Sequence, residues 1–182
     1  MSDTGIVKKA ILAGGCFWCT EAVFKNLKGV LSVTPGYIGG HVANPTYEQV
    51  CTGDTGHAEA IQIEYNANEI KYNQLLEVFF STHNPTTLNR QGEDVGTQYR
   101  SEIFYFDQEQ YSIAKEYMDI LTQEHVYDMP IVTVLSPATQ FYVAEDYHKD
   151  YFALKGDVNP YCQMVIKPKL EKFAKEHQGK LK

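Results

Sequence analysis

The stretch Gly14-Gly15-Cys16-Phe17-Trp18-Cys19-Thr20-Glu21 places a cysteine, the only tryptophan and a second cysteine within four residues. On its left, Ala10-Ile11-Leu12-Ala13 reads as a short buried strand. On its right, Phe17, Thr20, Phe24 and Leu27 recur at helical spacing. The glycine pair therefore marks a strand-to-helix turn, with Cys16 near the first helical turn. Free amide N–H groups and the positive end of the helix dipole favour an anion there, so the position is expected to lower the thiol's pKa and raise its thiolate fraction. Two small apolar cysteines packed beside Phe17 and Trp18 is the simpler alternative. Packing alone, however, does not require a glycine turn, a helix start and a spaced thiol pair together.

The chain around this stretch has the material for one domain. It has 182 residues, 43% of them hydrophobic and 13% aromatic, enough to build a core. The formal net charge of −7 argues against a nucleic-acid or anionic-membrane surface. Lys167, Lys169, Lys172, Lys175, Lys180 and Lys182 make only the tail basic, as a solvated helix face would. No apolar run approaches the roughly 18 residues of a membrane span. Lys8-Lys9 before Ala10 to Ala13 imitates a signal peptide, but the apolar region is short, Trp18 follows, and no small-residue cleavage site is present. A soluble, cytoplasmic chain is expected. Its four cysteines, Cys16, Cys19, Cys51 and Cys162, are too few for a disulfide scaffold at this length. In a reducing compartment such thiols point to chemistry or to metal.

Residues 1 to 5 read as a loose terminus, followed by the strand to about Ala13 and the helix to about Leu27. Residues 28 to 56 are glycine-rich and read as mostly irregular, with a short helix opening at Pro45-Thr46-Tyr47 and closing before Gly53. From His57 to Tyr65 the pattern alternates, which puts His57, Glu59, Ile61, Ile63 and Tyr65 on one face. A carboxyl group at Glu59 held against that apolar face would lose hydration and stay protonated near neutral pH. At the strand's wet end it would do neither.

An amphipathic helix follows over Tyr72 to Thr82, then a polar loop from Asn84 to Gly96 and a strand from about Gln98 to Phe106. Asp107 with Gln110 resembles a capping box for a helix through about Glu124. Ile131 to Leu135 and Phe141 to Val143 read as two strands joined by a turn at Ser136-Pro137, a late hairpin. Residues 145 to 154 read as helical, and Pro168 as the opening of a last helix carrying Leu170, Phe173 and Ala174. The order predicts an α+β fold, a two-layer sandwich with a mixed, mostly antiparallel sheet, a ferredoxin-like core and long irregular loops. The expected organisation is a single catalytic domain over residues 1–182, with a mobile C-terminal segment from about 155.

Three chemistries use the cysteine pair. A dithiol redox site fits the C-x-x-C spacing at a helix start. A zinc-dependent deaminase would use His57-x-Glu59 with Cys16 and Cys19, although in that signature the cysteine pair follows the H-x-E and is preceded by proline. A cysteine hydrolase would need His57, His83 or His148 as base. A further class is a thiol-bearing module that binds methionine-rich partners without turnover.

Six motifs in order select among these: Gly15-Cys16-Phe17-Trp18, Gly36-Tyr37-Ile38-Gly39-Gly40, Asn44-Pro45-Thr46-Tyr47, Gly53-Asp54-Thr55-Gly56-His57-Ala58-Glu59, His83-Asn84-Pro85-Thr86, and Gly92-Glu93-Asp94-Val95-Gly96-Thr97-Gln98-Tyr99-Arg100-Ser101. Through them the chain resembles the peptide methionine sulfoxide reductases of the A type from about Lys9 to about Phe173. The resemblance implies cofactor-free reduction of methionine sulfoxide, free or in proteins, selective for the S epimer. It assigns Cys16 as nucleophile, Glu59 as the acid that protonates the sulfoxide oxygen, and Phe17 and Trp18 as the apolar pocket for the methyl group. Tyr47 and Tyr99 would bind the oxygen and Asp94 would support the polar network.

The resemblance also implies a Cys16 sulfenic acid that a second thiol converts to a disulfide, recycled by thioredoxin. Members of the family often carry resolving cysteines in a glycine-rich tail, whereas this chain has one tail cysteine, Cys162 in Asn159-Pro160-Tyr161-Cys162. Cys162 corresponds to that tail position. Cys19 is close enough to Cys16 for a helix-start disulfide, so both are resolving candidates. Cys51 reads as a structural thiol. No metal site, nucleic acid or membrane is implied, and a monomer is expected.

Overall fold

In the computed structural model, which describes residues 6–156, 159–176 and 178–182 without the side chains of Gln163 and Val165, the opening stretch folds as its pattern predicts. Residues 1 to 5, read as a loose terminus, lie outside the described residues. Strand β1 (Val7–Gly14) enters the glycine pair and α1 (Phe17–Phe24) leaves it. Gly15 sits at φ +93°, a left-handed conformation that a side chain resists, and an added Cβ would come within 2.7 Å of the Gln91 side chain. Cys16 is the extended N-cap residue of α1, and its carbonyl accepts the amides of Cys19 and Thr20. The helix ends at Phe24, earlier than the pattern predicts; Leu27 lies in a turn and bridges to Leu181.

The remaining elements in order are β2 (Val30–Ile38), α2 (Tyr47–Cys51), β3 (Ala58–Asn66), α3 (Tyr72–Thr82), the two-residue strands β4 (Arg90–Gln91) and β5 (Asp94–Val95), β6 (Ser101–Tyr105), α4 (Gln108–Gln123), β7 (Val134–Pro137), β8 (Tyr142–Val143), α5 (Tyr151–Lys155) and α6 (Lys167–Glu176). Six strands form one sheet in the order β7-β6-β1-β3-β2-β8, antiparallel throughout except for the parallel β6–β7 pair. The class is therefore α+β with a mostly antiparallel sheet.

Alternation along the strands separates two apolar clusters. Ala10, Leu12, Tyr37, Ile61, Ile63 and Ile103 pack with Phe24, Leu75, Leu76, Phe79 and Ala114 from α1, α3 and α4. Their strand neighbours Ile11, Ala13, Ile38, Ala58, Ala60 and Phe104 form the other, smaller cluster with Ala138 and Phe141. Burial of each large side chain in such a cluster is worth about 1.5–3 kcal/mol. The helices thus cover the face to which Glu59 also belongs, one strand step from Ile61.

Two sequence expectations are corrected. Residues 28 to 56 hold, besides the short helix, a strand not expected there: β2 pairs with β3 over most of its length. Pro35 and Gly36 disguise it. In an antiparallel strand one residue's N–H and C=O point to the same neighbour, and the Pro35 carbonyl accepts the amide of Ala144. The donor that proline lacks thus faces the short outer strand β8, where its loss is tolerated. The late hairpin is also absent: β7 and β8 lie on opposite edges of the sheet. Between them residues 138–141 cross the second face, where Ala138 and Phe141 fill the smaller cluster.

The Asp107 cap forms in part. Its carboxylate accepts the Gln110 amide at 2.8 Å, while the Gln110 side chain accepts from Phe106 and donates to the Lys9 carbonyl. Residues 145 to 154 hold a single turn at Asp146–His148 and then α5. The last helix begins before Pro168. A π-helical turn over Cys162–Ile166 runs directly into α6, and the Lys167 amide reaches back five residues to the Cys162 carbonyl. Proline has no N–H for a regular helical bond, and the widened turn accommodates that loss. No helix among the described residues is long and apolar enough to cross a membrane.

Candidate active site

The start of α1 lies over β3, and this brings the predicted residues together. Glu59 is 1% exposed, and its Oε1 accepts the backbone N–H of Phe17 at 3.1 Å. Its Oε2 is buried with no hydrogen-bond partner. Burial raises the Glu59 pKa to about 8; the Phe17 amide opposes the shift, and Asp94 and Cys19 add to it. The wet-end alternative for Glu59 is thereby excluded, and a neutral carboxyl group stands beside the thiols.

The expected acidification of Cys16 does not occur. Burial pushes its thiol well above the ordinary value, with the Cys19 hydrogen bond, the Cys19 charge and Glu59 acting in the same direction. Only the Trp18 amide favours the thiolate, because the other nearby N–H, that of Phe17, is committed to Glu59. The more acidic thiol is Cys19. Its pKa falls to about 7, first through the hydrogen bond from Cys16 and then, against burial, through Lys169 and Tyr161. Cys19 also meets the Tyr161 hydroxyl, with Sγ and Oη 3.8 Å apart. Cys162 is fully buried in the same cluster as Cys16, Cys19, Ala22 and Ile166, and Cys19 is the one thiol whose charge acts on it.

Phe17 is wholly buried and packs against Tyr37, with ring centroids 5.7 Å apart, and against His148 at 5.0 Å. The Trp18 ring is half-buried. It stacks on Tyr151 at 3.8 Å with a 7° interplanar angle, meets the edge of Tyr161 at 6.0 Å, and donates its indole N–H to His148 Nδ1 at 3.0 Å. The methyl pocket expected from Phe17 and Trp18 is thus flanked by His148, Tyr151 and Tyr161. A cleft of about 730 Å³ lies elsewhere, lined by His83, Asn84, Lys169 and Phe173 among others, and contains none of Cys16, Cys19 and Glu59.

Tyr47 opens α2, and the Thr46 side chain caps it by accepting the Gln49 amide. The Tyr47 amide donates to Glu145 Oε2 and the Tyr37 hydroxyl to Glu145 Oε1, both at 2.8 Å. The Tyr47 hydroxyl is paired with Cys51, an exposed thiol whose burial-raised pKa keeps it protonated. Tyr47 and Tyr99 both feel the Glu59 charge, and for both burial is the larger cause of a raised pKa. Asp94, in β5, accepts the Tyr161 hydroxyl at 2.6 Å.

Sequence reasoning did not single out Tyr161, Glu145 or Tyr151, since nothing in their spacing ties them to Cys16. His148 entered only as a candidate base. Its Nδ1 accepts from Trp18, and no bond joins it to Cys16. His57 lies between the Gly40 amide and the Val42 carbonyl, and His83 between the Phe79 carbonyl and Ser101 Oγ, its pKa lowered to about 4 by burial. The hydrolase arrangement is thus not assembled. Neither is the zinc arrangement: both His57 ring nitrogens are occupied by backbone, and no group of three or more His, Cys, Asp or Glu among the described residues is placed to hold a metal ion.

An α+β sheet carrying hydrogen-bonded thiols at a helix start beside a buried neutral carboxyl group defines a thiol-based oxidoreductase. The sequence profile of the peptide methionine sulfoxide reductase family matches residues 8–182, and the chain belongs to that family. It is 57% identical over 173 residues to the peptide methionine sulfoxide reductase MsrA of Saccharolobus solfataricus, covering 95% of this chain and 96% of that one. Among solved structures it is similar to Mxr1 from Saccharomyces cerevisiae in reduced form, with a TM-score of 0.74 and 36% identity over 86% of this chain and 89% of that one. It is also similar to Mxr1 in complex with Trx2, with a TM-score of 0.52 and 26% identity over 80% and 84% of the two chains.

Proposed function

We propose that this chain reduces methionine S-sulfoxide, free and in proteins, with Cys16 as nucleophile and Glu59 as acid. The observation that carries this reading is the Glu59 carboxyl group, buried, held by the Phe17 amide and with Oε2 unpartnered. An S=O oxygen leaves only once it gains a proton, and a carboxylic acid neutral up to about pH 8 supplies one at physiological pH. The Cys16 proton passes to Cys19, the Cys16 sulfur attacks the sulfoxide sulfur, and the oxygen, protonated by Glu59, ends on Cys16 as a sulfenic acid while methionine leaves. Phe17 and Trp18 would hold the methyl group, Tyr47 and Tyr99 the oxygen, and Asp94 would orient the polar groups around it. Nothing in these steps calls for a cofactor.

Resolution begins with Cys19, which is already hydrogen-bonded to Cys16. Its thiol condenses with the sulfenic acid, forming the Cys16–Cys19 disulfide and water. Cys162, in the same cluster, then attacks the Cys19 sulfur, releasing Cys16 and moving the disulfide to the C-terminal segment, where thioredoxin reduces it. The complex of Mxr1 with Trx2 supports that last partner.

The same reading makes residues 1–182 one catalytic domain with a segment from about 155 that moves between turnover steps, in a monomeric protein working in the cytoplasm. It also makes the fold a two-layer, ferredoxin-like sandwich. The spatial order β6-β1-β3-β2, with α1 and α3 as the connecting helices on one face, supports that assignment.

The test is turnover of racemic methionine sulfoxide with dithiothreitol, following both epimers, for the wild type and Cys16→Ser. Loss of the S epimer alone, abolished in the variant, is the expected result. No consumption by the wild type, or turnover by Cys16→Ser, overturns the proposal.

A further inference from the structure

Trp18, Glu21 and Lys25 lie three and four residues apart, on one side of the helix that begins at Cys16. All three meet the segment around α5. Tyr151 stacks on Trp18, the Glu21 Oε2 accepts the Asp150 amide at 3.0 Å, and Lys25 pairs with the Asp150 carboxylate. Glu21 is only 3% exposed, and the Tyr151 amide also donates to its carboxyl group. Asp150 adopts a left-handed conformation at φ 53° and caps nothing with its own side chain. The carboxyl group of Glu21, from another element, therefore serves the first amides of α5 in place of a local cap.

The connection continues toward the thiols. The Tyr151 hydroxyl accepts from Asn159 Nδ2 at 2.5 Å, and Asn159 Oδ1 accepts the Tyr161 amide at 2.8 Å. The Tyr161 hydroxyl in turn donates to Asp94 and lies beside Cys19. A line of contacts thus runs from Glu21 through Tyr151 and Asn159 to Tyr161, and its two tyrosines cover Trp18 and Cys19.

We propose that Glu21 is a positioning residue: it latches α5 to α1, and so sets how tightly Tyr151 covers Trp18 and Tyr161 covers Cys19. Loosening the latch would widen the approach of a methionine side chain to Trp18, and closing it would hold Cys162 near Cys19. That consequence rests on the function proposed above, whereas the latch itself is a matter of geometry. A glutamine in its place offers one neutral acceptor oxygen where the carboxyl group offers two, so the hold on the amides of the α5 start weakens. The tyrosine–tryptophan stack, worth about 0.5–1.5 kcal/mol, then carries more of the hold on the segment.

Trp18 is the only tryptophan, so intrinsic fluorescence reports on this position directly. In reduced Glu21→Gln, emission should move to longer wavelength, acrylamide quenching should rise, and alkylation of Cys16 and Cys19 by iodoacetamide should accelerate severalfold, with an unchanged far-ultraviolet circular dichroism spectrum. The KM for methionine sulfoxide should fall more than kcat with dithiothreitol changes. Wild-type emission, quenching and alkylation in a folded Glu21→Gln would reduce Glu21 to a merely structural group and overturn the proposal. Tyr151→Leu tests the latch from its other side, should Glu21→Gln not fold. It should give the same three changes, and their absence would equally sink the idea. The fluorescence and alkylation readings need no sulfoxide, so a failure of the catalytic reading remains distinguishable from a failure of the latch.

Discussion

The carboxyl group of Glu59 accepts the amide of Phe17 across 3.1 Å, joining β3 to the first helical residue after the nucleophile candidate. One oxygen is fixed by that bond and the other is buried without a partner. The bond aims the acid, and burial keeps it protonated. The two effects can be separated by substitution.

Glu59→Gln retains a carbonyl oxygen for the Phe17 amide but has no acidic proton. General acid catalysis of this kind contributes about 10²–10⁴-fold, and kcat for methionine sulfoxide should fall within that range. The Cys16 thiol should still react with iodoacetamide. Steady-state kinetics alongside alkylation rates check this, and an unchanged kcat would count against the acid role.

The same residue makes stability depend on pH. The Glu59 pKa is raised by burial from 4.5 to about 8. Between those values the folded chain holds a proton that the unfolded chain releases, so this stabilisation is complete below about pH 4.5 and is lost as pH rises through 8. Relative to Glu59→Gln, the wild type should lose up to about 1.4 kcal/mol of unfolding free energy per pH unit across that window. Urea denaturation of both proteins at several pH values measures it. A pH-independent difference would show that Glu59 is ionised in the folded state.

How much of this was visible in the sequence depended on whether a signal was local. The turn at Gly15, helix α3 and the shared face of Glu59, Ile61 and Ile63 follow from spacing within a few residues, and each stands as expected. Strand β2 was hidden because proline and glycine are read as breakers, although Pro35 faces an edge strand and Gly36 faces a close neighbour. The separation of β7 from β8 depends on which sheet face residues 138–141 can cover, and no local pattern encodes that. At the site, the turn singled out Cys16, while the alternation left Glu59 either buried or at a wet end, and the structure buries it. The thiol acidities were not legible, because they depend on the burial of Cys16 and on which thiol donates to the other, with Lys169 and Tyr161 from the far end of the chain adding to the effect on Cys19. Cys51 was read as structural, and the structure instead shows it exposed and paired with Tyr47.

Gly36→Ala tests the reason for the glycine in β2. An added Cβ would lie 2.4 Å from Phe141 Cζ and 2.5 Å from the Tyr142 carbonyl oxygen, and backbone cannot yield cheaply. Such overpacking costs about 1–3 kcal/mol, and at this size each kcal/mol lowers Tm by about 2–4 °C. Activity should also fall, since displacement of β8 moves Glu145, which holds Tyr37 and Tyr47. Calorimetry with wild-type Tm in the variant would mean that β8 shifts without cost.

The order of the thiols gives the last prediction. Cys19 is bonded to Cys16 and acts on Cys162, so a single oxidising turnover without reductant should leave a Cys19–Cys162 disulfide in the wild type. Cys162→Ser should stop at Cys16–Cys19, because the second exchange has no attacking thiol. Cys19→Ser should leave a Cys16 sulfenic acid that dimedone can trap. With dithiothreitol both variants should still turn over, because a small dithiol can enter in place of the missing thiol, while turnover with thioredoxin should fall in each. Peptide mapping distinguishes the three species by the fragments that remain linked. A Cys16–Cys162 disulfide in the wild type, formed as fast in Cys19→Ser, would remove Cys19 from the path.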